Sequence, residues 1–330
     1  MEEIAYANKH TRKKSKIQGL EFVRKYGVIF GLIGVIFFFG VAETEYFFTI
    51  SNFMTIAKQS AVNILLALGE MYVILTGGID LSVSSVAGLS GAVFAGTTLS
   101  SGGNVLLGAL AAIITGIAFG VFNGLVVAYG KLPPFIATLA TMSVGRGLLL
   151  MYTNGAPIWG LPDSFEFLGQ GSIFGIPVPI IVVLLSTVFV WILLSYTSFG
   201  RSVYATGGNI KASYAAGIKI KFILISVFAI SSFFSALGGM VLTSRLGSAQ
   251  PNAATGYELD AIAAVVVGGT SLFGGEGWVL GTLLGGLLMG TLNNGMAIMN
   301  VSPYVQQVVK GLVIVAAVLP STVSKKFWNE

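Results

Sequence analysis

Stretches of about twenty apolar residues recur along the whole chain, and about twenty apolar residues in a helix cross the ~30 Å hydrocarbon core of a bilayer. Composition agrees. Charged residues make up 9% of the 330 and hydrophobic residues 55%, whereas a soluble domain carries roughly 25% charge. Too little charge remains to cover a water-facing surface of this size. The chain therefore reads as an all-α, polytopic membrane protein, which excludes most soluble enzymes and nucleic-acid-binding domains.

Ten spans are expected. They run from about Gly27 to Val41, Phe53 to Leu75, Val83 to Leu99, Val105 to Tyr129, Pro133 to Tyr152, Pro177 to Tyr196, Phe222 to Thr243, Leu259 to Gly268, Val279 to Met299 and Pro303 to Pro320. The eighth is too short to cross alone. Prolines open the fifth, sixth and tenth, where the first helical turn tolerates them.

Charge placement orients the spans. The net charge is +5, and Lys9, Arg12, Lys13, Lys14, Lys16, Arg24 and Lys25 all precede the first span. By the positive-inside rule this tail is cytoplasmic. Lys131, Arg201, Lys211, Lys219, Lys221, Lys325 and Lys326 fall on links or tails of the same side. Glu43, Glu45, Asp163 and Glu166 fall on links of the other side, with Arg245 as the exception. The expected layout is a basic cytoplasmic tail over 1–26, a permease domain over 27–322 with a cytoplasmic segment at 197–221, and a cytoplasmic tail over 323–330. There is no Cys, and the single His is His10. Thiolate chemistry is excluded, and no His-based catalytic or metal site is expected in the membrane.

Two halves resemble each other. Gly77-Gly78 ends the second span and Gly268-Gly269 the eighth, each before a glycine-studded helix. Asn123-Gly124 precedes Pro133, as Asn294-Gly295 precedes Pro303. Duplicated halves with broken helices characterise transporters. The regularly spaced glycines of the third, fourth and ninth spans suit close helix packing.

Glu70 and Arg146 are read as the intramembrane charges, the first toward the cytoplasmic side and the second, between Gly145 and Gly147, toward the outside. Such groups face a bundle interior or a watery cavity. Each can anchor a helix, and Arg146 can line the outer part of a solute path. Neutral path candidates are Asn63, Asn123, Thr138, Thr141, Asn293, Asn294 and Gln307. Over residues 197–221, Gly207-Gly208 are expected to form a turn. Asn209 can then cap a short helix through Ala216, which Gly217 ends.

Four ordered stretches carry a family resemblance: LTGGIDLSVSSVAGLSGAVFAG from Leu75, PPFIATLATMSVGRGL from Pro133, SFGRSVYATGGNIKASYAAGI from Ser198 and YELDAIAAVVVGGTSLFGGEG from Tyr257. They resemble the transmembrane permeases of ribose-type ABC importers, from about Asn52 to Pro320. The resemblance implies a multi-pass subunit of the cytoplasmic (inner) membrane, folded like the vitamin B12 importer permeases with about ten helices. It implies a second permease copy, homodimer before heterodimer, surrounded by membrane lipid. It also implies two cytoplasmic ATPase subunits and an external or periplasmic sugar-binding protein. The coupling helix would lie at Gly208, Asn209, Lys211, Ala212 and Gly217. The imported solute would be a monosaccharide, ribose first. No phosphate-binding loop of the G-x-x-x-x-G-K-[ST] type occurs, so ATP and Mg would bind the partner subunit and this chain would hold no cofactor and catalyse nothing alone. An ion-coupled secondary transporter is the rival; it needs ionisable groups deep in the membrane, and only Glu70 is a fair candidate, since Asp80, Asp260 and Glu276 sit near expected span ends. A membrane enzyme is disfavoured by the missing Cys and intramembrane His.

Overall fold

The protein, seen in a computed structural model, is described over residues 26–329, with side chains through 319. The basic tail up to Lys25 and the side chains of the C-terminal tail lie outside the described residues. Helices α1 (Tyr26–Ala42), α2 (Thr44–Phe47), α3 (Ile50–Leu75), α4 (Val83–Ser100), α5 (Val105–Ala128), α6 (Pro134–Thr153) and α7 (Asp163–Gln170) come first. A hairpin of β1 (Ser172–Ile173) and β2 (Ile176–Pro177) follows, pairing Ser172 with Pro177 and Ile173 with Ile176. Then come α8 (Val178–Tyr196), α9 (Ser198–Gly208), α10 (Ile210–Ala215), α11 (Ile220–Leu246), α12 (Tyr257–Val267), α13 (Val279–Ile298) and α14 (Pro303–Asn329). Helices α4, α5, α6, α8 and α11 are long and apolar enough to cross a membrane.

Local signals set most boundaries. The side chains of Thr49 and Asn104 accept from Asn52 N and Leu107 N and start α3 and α5, a cap that replaces a missing intrahelical partner. Proline starts α6 and α8. All expected spans except the last match a helix within three residues at each end. The last continues past Pro320 to Asn329.

Helix α3 is the axis of the molecule. Every residue from Ser60 to Leu75 is buried, and α8, α11, α12 and α13 pack around it. A helix apolar on all sides is stable only when enclosed. The glycines expected to serve packing do so. Gly116, Gly120 and Gly124 of α5 lie against the backbone of α11 at Ser232, Phe228 and Ile225. Gly281 and Gly285 of α13 lie against α12 at Gly268 and Ala264, while Gly286 and Gly290 meet Ile64 and Ser60 of α3. Small residues four apart bring backbones close, which is how membrane helices gain contact when lipid supplies no hydrophobic drive.

The paired breaks correspond, but one residue off the expected register. After α3, Gly77 sits at φ 81° and Gly78 N bonds back to Val73 O. After α12, Gly269 sits at φ 91° and Thr270 N bonds back to Val265 O. These are matching helix ends that close on a left-handed residue, so Gly77 corresponds to Gly269 rather than Gly268. The Asn-Gly correspondence does not extend to the helices. Asn123 lies on the second helix after its break, α5, and Asn294 on the first, α13. An extra helix reverses chain direction, so the two Asn-Gly pairs are not equivalent.

Elements not expected from sequence close the far end of the bundle. Phe165 of α7 stacks on Phe94 of α4 with centroids 4.3 Å apart. Ser244 of α11 pins α7 twice: its Oγ accepts from Gly169 N at 2.7 Å and donates to Phe165 O at 2.6 Å.

Candidate functional site

Arg146 of α6 is half-buried, and its Nη1 donates to Ala253 O at 2.7 Å in the link between α11 and α12. This ties α6 to the start of the broken helix. The same side chain lines a cavity of about 340 Å³ together with Ser84, Met142, Ser143, Gly147, Thr255 and Glu258. Arg146 thus both anchors a helix and faces a cavity. Of the other path candidates none lines this cavity. Thr138 Oγ1 donates to Ile79 O and Pro134 O, and Thr141 Oγ1 to Thr138 O. A hydroxyl on a helix satisfies itself on a nearby carbonyl, which draws it away from a path. Asn63 and Asn294 are buried with side-chain oxygens that lack partners, and Asn293 approaches Asp260.

Asn123 belongs to a different feature, a polar cluster beneath the first glycine break. Its Nδ2 donates to Ser82 Oγ at 2.9 Å. Ser82 in turn donates to Asp80 Oδ1 through both its backbone N–H and its hydroxyl. Ser231 Oγ of α11 donates to Asp80 Oδ2 at 3.0 Å, and Asp80 N donates to Glu70 Oε1 at 3.0 Å. Glu70 and Asp80 are both fully buried. The cluster therefore joins α3, α5 and α11 to the loop between α3 and α4. Glu70 and Arg146 do not pair, as expected.

Buried charge extends beyond Glu70 and Arg146. Asp80 and Asp260 were expected near span ends; both are buried, at 0% and 2% exposure. Lys310, in the middle of the apolar part of α14, forms an ion pair with Asp260 at 2.8 Å. A lone Lys between Val308-Val309 and Gly311 was the available signal. These groups would favour the ion-coupled rival by the criterion set above. Asp260 is, however, paired with Lys310, and Asp80 accepts three hydrogen bonds from Ser82 and Ser231, which is how buried polar and charged groups are tolerated.

At the C-terminal end of α3, the segment 197–221 folds as two helices. Asn209 Oδ1 accepts from Lys211 N and Ala212 N, both at 3.0 Å, and starts α10 as expected. Gly217, at φ 83°, follows its end. Gly208, Asn209, Lys211, Ala212 and Gly217 are all exposed, and Lys211 and Gly217 line an open hollow together with Ile210, Tyr214 and Lys219. The expected turn at Gly207-Gly208 is instead the last turn of α9. The glycines serve close approach. A Cβ on Gly207 would overlap Leu75 O and Gly275 N, and one on Gly275 would press on Gly208. Gly275 N donates to Leu75 O at 2.9 Å, and Tyr204 OH to Gly277 O at 3.0 Å. Burial holds the Tyr204 phenol above its ordinary pKa, so it stays a donor. Backbone from α9, from the end of α3 and from the loop after α12 thus meets at one glycine junction.

The comparisons with known proteins bear on what these parts serve. The family described as the permease component of the branched-chain amino acid transport system matches residues 52–318. The ribose import permease of Bacillus subtilis is 48% identical over 90% of this chain and 92% of its own length. That of Escherichia coli K12 is 45% identical over 83% and 86%. The D-allose transport permease of Escherichia coli K12 is 40% identical over 90% and 91%. No solved structure matches. With the family match over most of its length and relatives that it covers almost end to end, the chain belongs to the ABC importer permease family that includes the ribose import permeases.

Proposed function

We propose that this chain is the membrane-spanning subunit of an ATP-driven importer that carries ribose inward. The observation that carries the reading is 45–48% identity to ribose import permeases across most of the chain; the relatives named for allose and galactose stand lower, at 40% and 36%. The chain acts as a transport subunit and not as an enzyme. About ten helices build the membrane domain in a fold like that of the vitamin B12 importers, the short α12 entering without crossing alone, with both termini in the cytoplasm. Two copies pair, and an external binding protein delivers the sugar. Cytoplasmic ATPases dock on α9 and α10 and hydrolyse ATP. Docking is supported by the exposure of Tyr214 and Ile210, at 77% and 51%, beside Lys211 and Lys219. Large exposed apolar groups in a soluble-facing segment mark an interaction surface. Alternate closure of the ATPases moves these helices, and the path opens to one side and then the other. Arg146 lines that path.

The test is uptake of labelled sugars by the importer reconstituted in vesicles with its ATPase and binding protein. Ribose accumulation that requires ATP is the expected result. Accumulation driven by an ion gradient without ATP would overturn the reading and restore the secondary-transporter alternative.

A further inference from the structure

Glu258, in the first turn of α12, makes no side-chain hydrogen bond among the described residues, although its Oε2 is shielded from solvent. Glu70 Oε2 and Asp260 Oδ1 share this state, but Glu258 alone of the three lines a cavity, where an unpartnered acceptor leaves room for a group that arrives from elsewhere. Glu258 lines the same cavity as Arg146, and the two charges act on each other without forming an ion pair. Arg146 spends one donor on Ala253 O and has more in its planar fork. Ser84, 1% exposed, presents a further hydroxyl without a partner from α4 to this cavity. The volume of about 340 Å³ lies at the small end of ligand pockets, roughly 300–1,000 Å³.

We propose that Glu258 and Arg146 form an acceptor and donor pair that reads neighbouring hydroxyls of the passing monosaccharide, with Ser84 as a third contact. Each sugar hydroxyl both donates and accepts, so it can donate a hydrogen bond to the carboxylate and accept one from the guanidinium. A neutral polyol satisfies both walls at once. An anion is repelled by Glu258 and a cation by Arg146, so the pair selects uncharged solutes. This inference rests on the reading of Arg146 as part of the path.

The test uses the reconstituted importer and a reporter, Ser143→Cys. Ser143 is exposed, one helical turn from Arg146 on α6, and lines the cavity, while its own hydroxyl bonds Leu139 O rather than facing the proposed sugar contacts. This chain has no other cysteine, so labelling by a thiol reagent is read on it alone. Labelling should abolish uptake, and ribose should slow the labelling. Glu258→Gln should lower ribose uptake about tenfold per assembled complex, with Glu258→Asp recovering part, and should remove the protection by ribose. If labelling leaves uptake intact, Arg146 is off the path and that reading fails along with this one. If labelling blocks uptake but ribose gives no protection, or Glu258→Gln transports like the parent, the path stands and sugar recognition by Glu258 is overturned. If Glu258→Gln does not assemble, the protection experiment on the parent reporter decides alone.

Discussion

Asp80 is the hub of the buried polar cluster. It accepts from Ser82 N, Ser82 Oγ and Ser231 Oγ, and through Ser82 it reaches Asn123. Asp80→Ala leaves three buried donors without a partner, each costing about 1–3 kcal/mol. We expect destabilisation of about 3 kcal/mol or more, seen as a lower thermal midpoint of the purified complex. Asp80→Asn keeps one acceptor oxygen and should cost about 1 kcal/mol; an equal loss in both variants would show that charge, not hydrogen-bond count, is what matters. The position of Asp80 was legible in the sequence, at the end of a span. Its burial was not, because α5 and α11 enclose it from about 40 and 150 residues away along the chain, the separations of Ser82 from Asn123 and Asp80 from Ser231. Glu258 was equally hidden: an acid in the first turn of a helix reads as an ordinary dipole partner.

At the scale of elements, apolar length and capping residues were enough to find the long helices, and Asn209 was enough to find α10. Helix α9 was missed because Gly207-Gly208 reads as a turn by propensity. Tertiary packing decides otherwise, since only a residue without Cβ fits against Leu75 O. Two variants separate the parts of this segment. Asn209→Ala removes the acceptor for two N–H groups, worth about 1 kcal/mol, and should lower uptake modestly by loosening α10. Gly207→Ala forces the junction apart and should abolish uptake while the ATPases still bind and hydrolyse ATP. The ratio of sugar moved to ATP consumed measures both. Wild-type coupling in Gly207→Ala would remove the junction from the mechanism. Ala212→Pro is a weaker probe than helix propensity suggests: Ala212 is in the first turn of α10, where its N–H bonds Asn209 and no helical carbonyl.

For the whole molecule, the charge pattern and the bundle geometry make one joint prediction about orientation. α10 and the β-hairpin lie beyond opposite ends of α11, which runs from beside α10 to beside α7. Lys211→Cys should therefore react with an impermeant thiol reagent only in inverted vesicles. Phe174→Cys, at the fully exposed hairpin tip, should react only in intact cells. Labelling of both from the same side would refute the two-sided layout. Between these faces the glycine junction has a mechanical consequence. Side chains at a joint have rotamers that can yield, so part of any push is absorbed before it travels. Where Gly207, Gly275 and the last carbonyl of α3 touch backbone to backbone, there is no such slack. If the ATPases drive α9, as proposed, a shift of a fraction of an ångström would reach the foot of the central helix undiminished, and the proposed machine would have almost no backlash at that point.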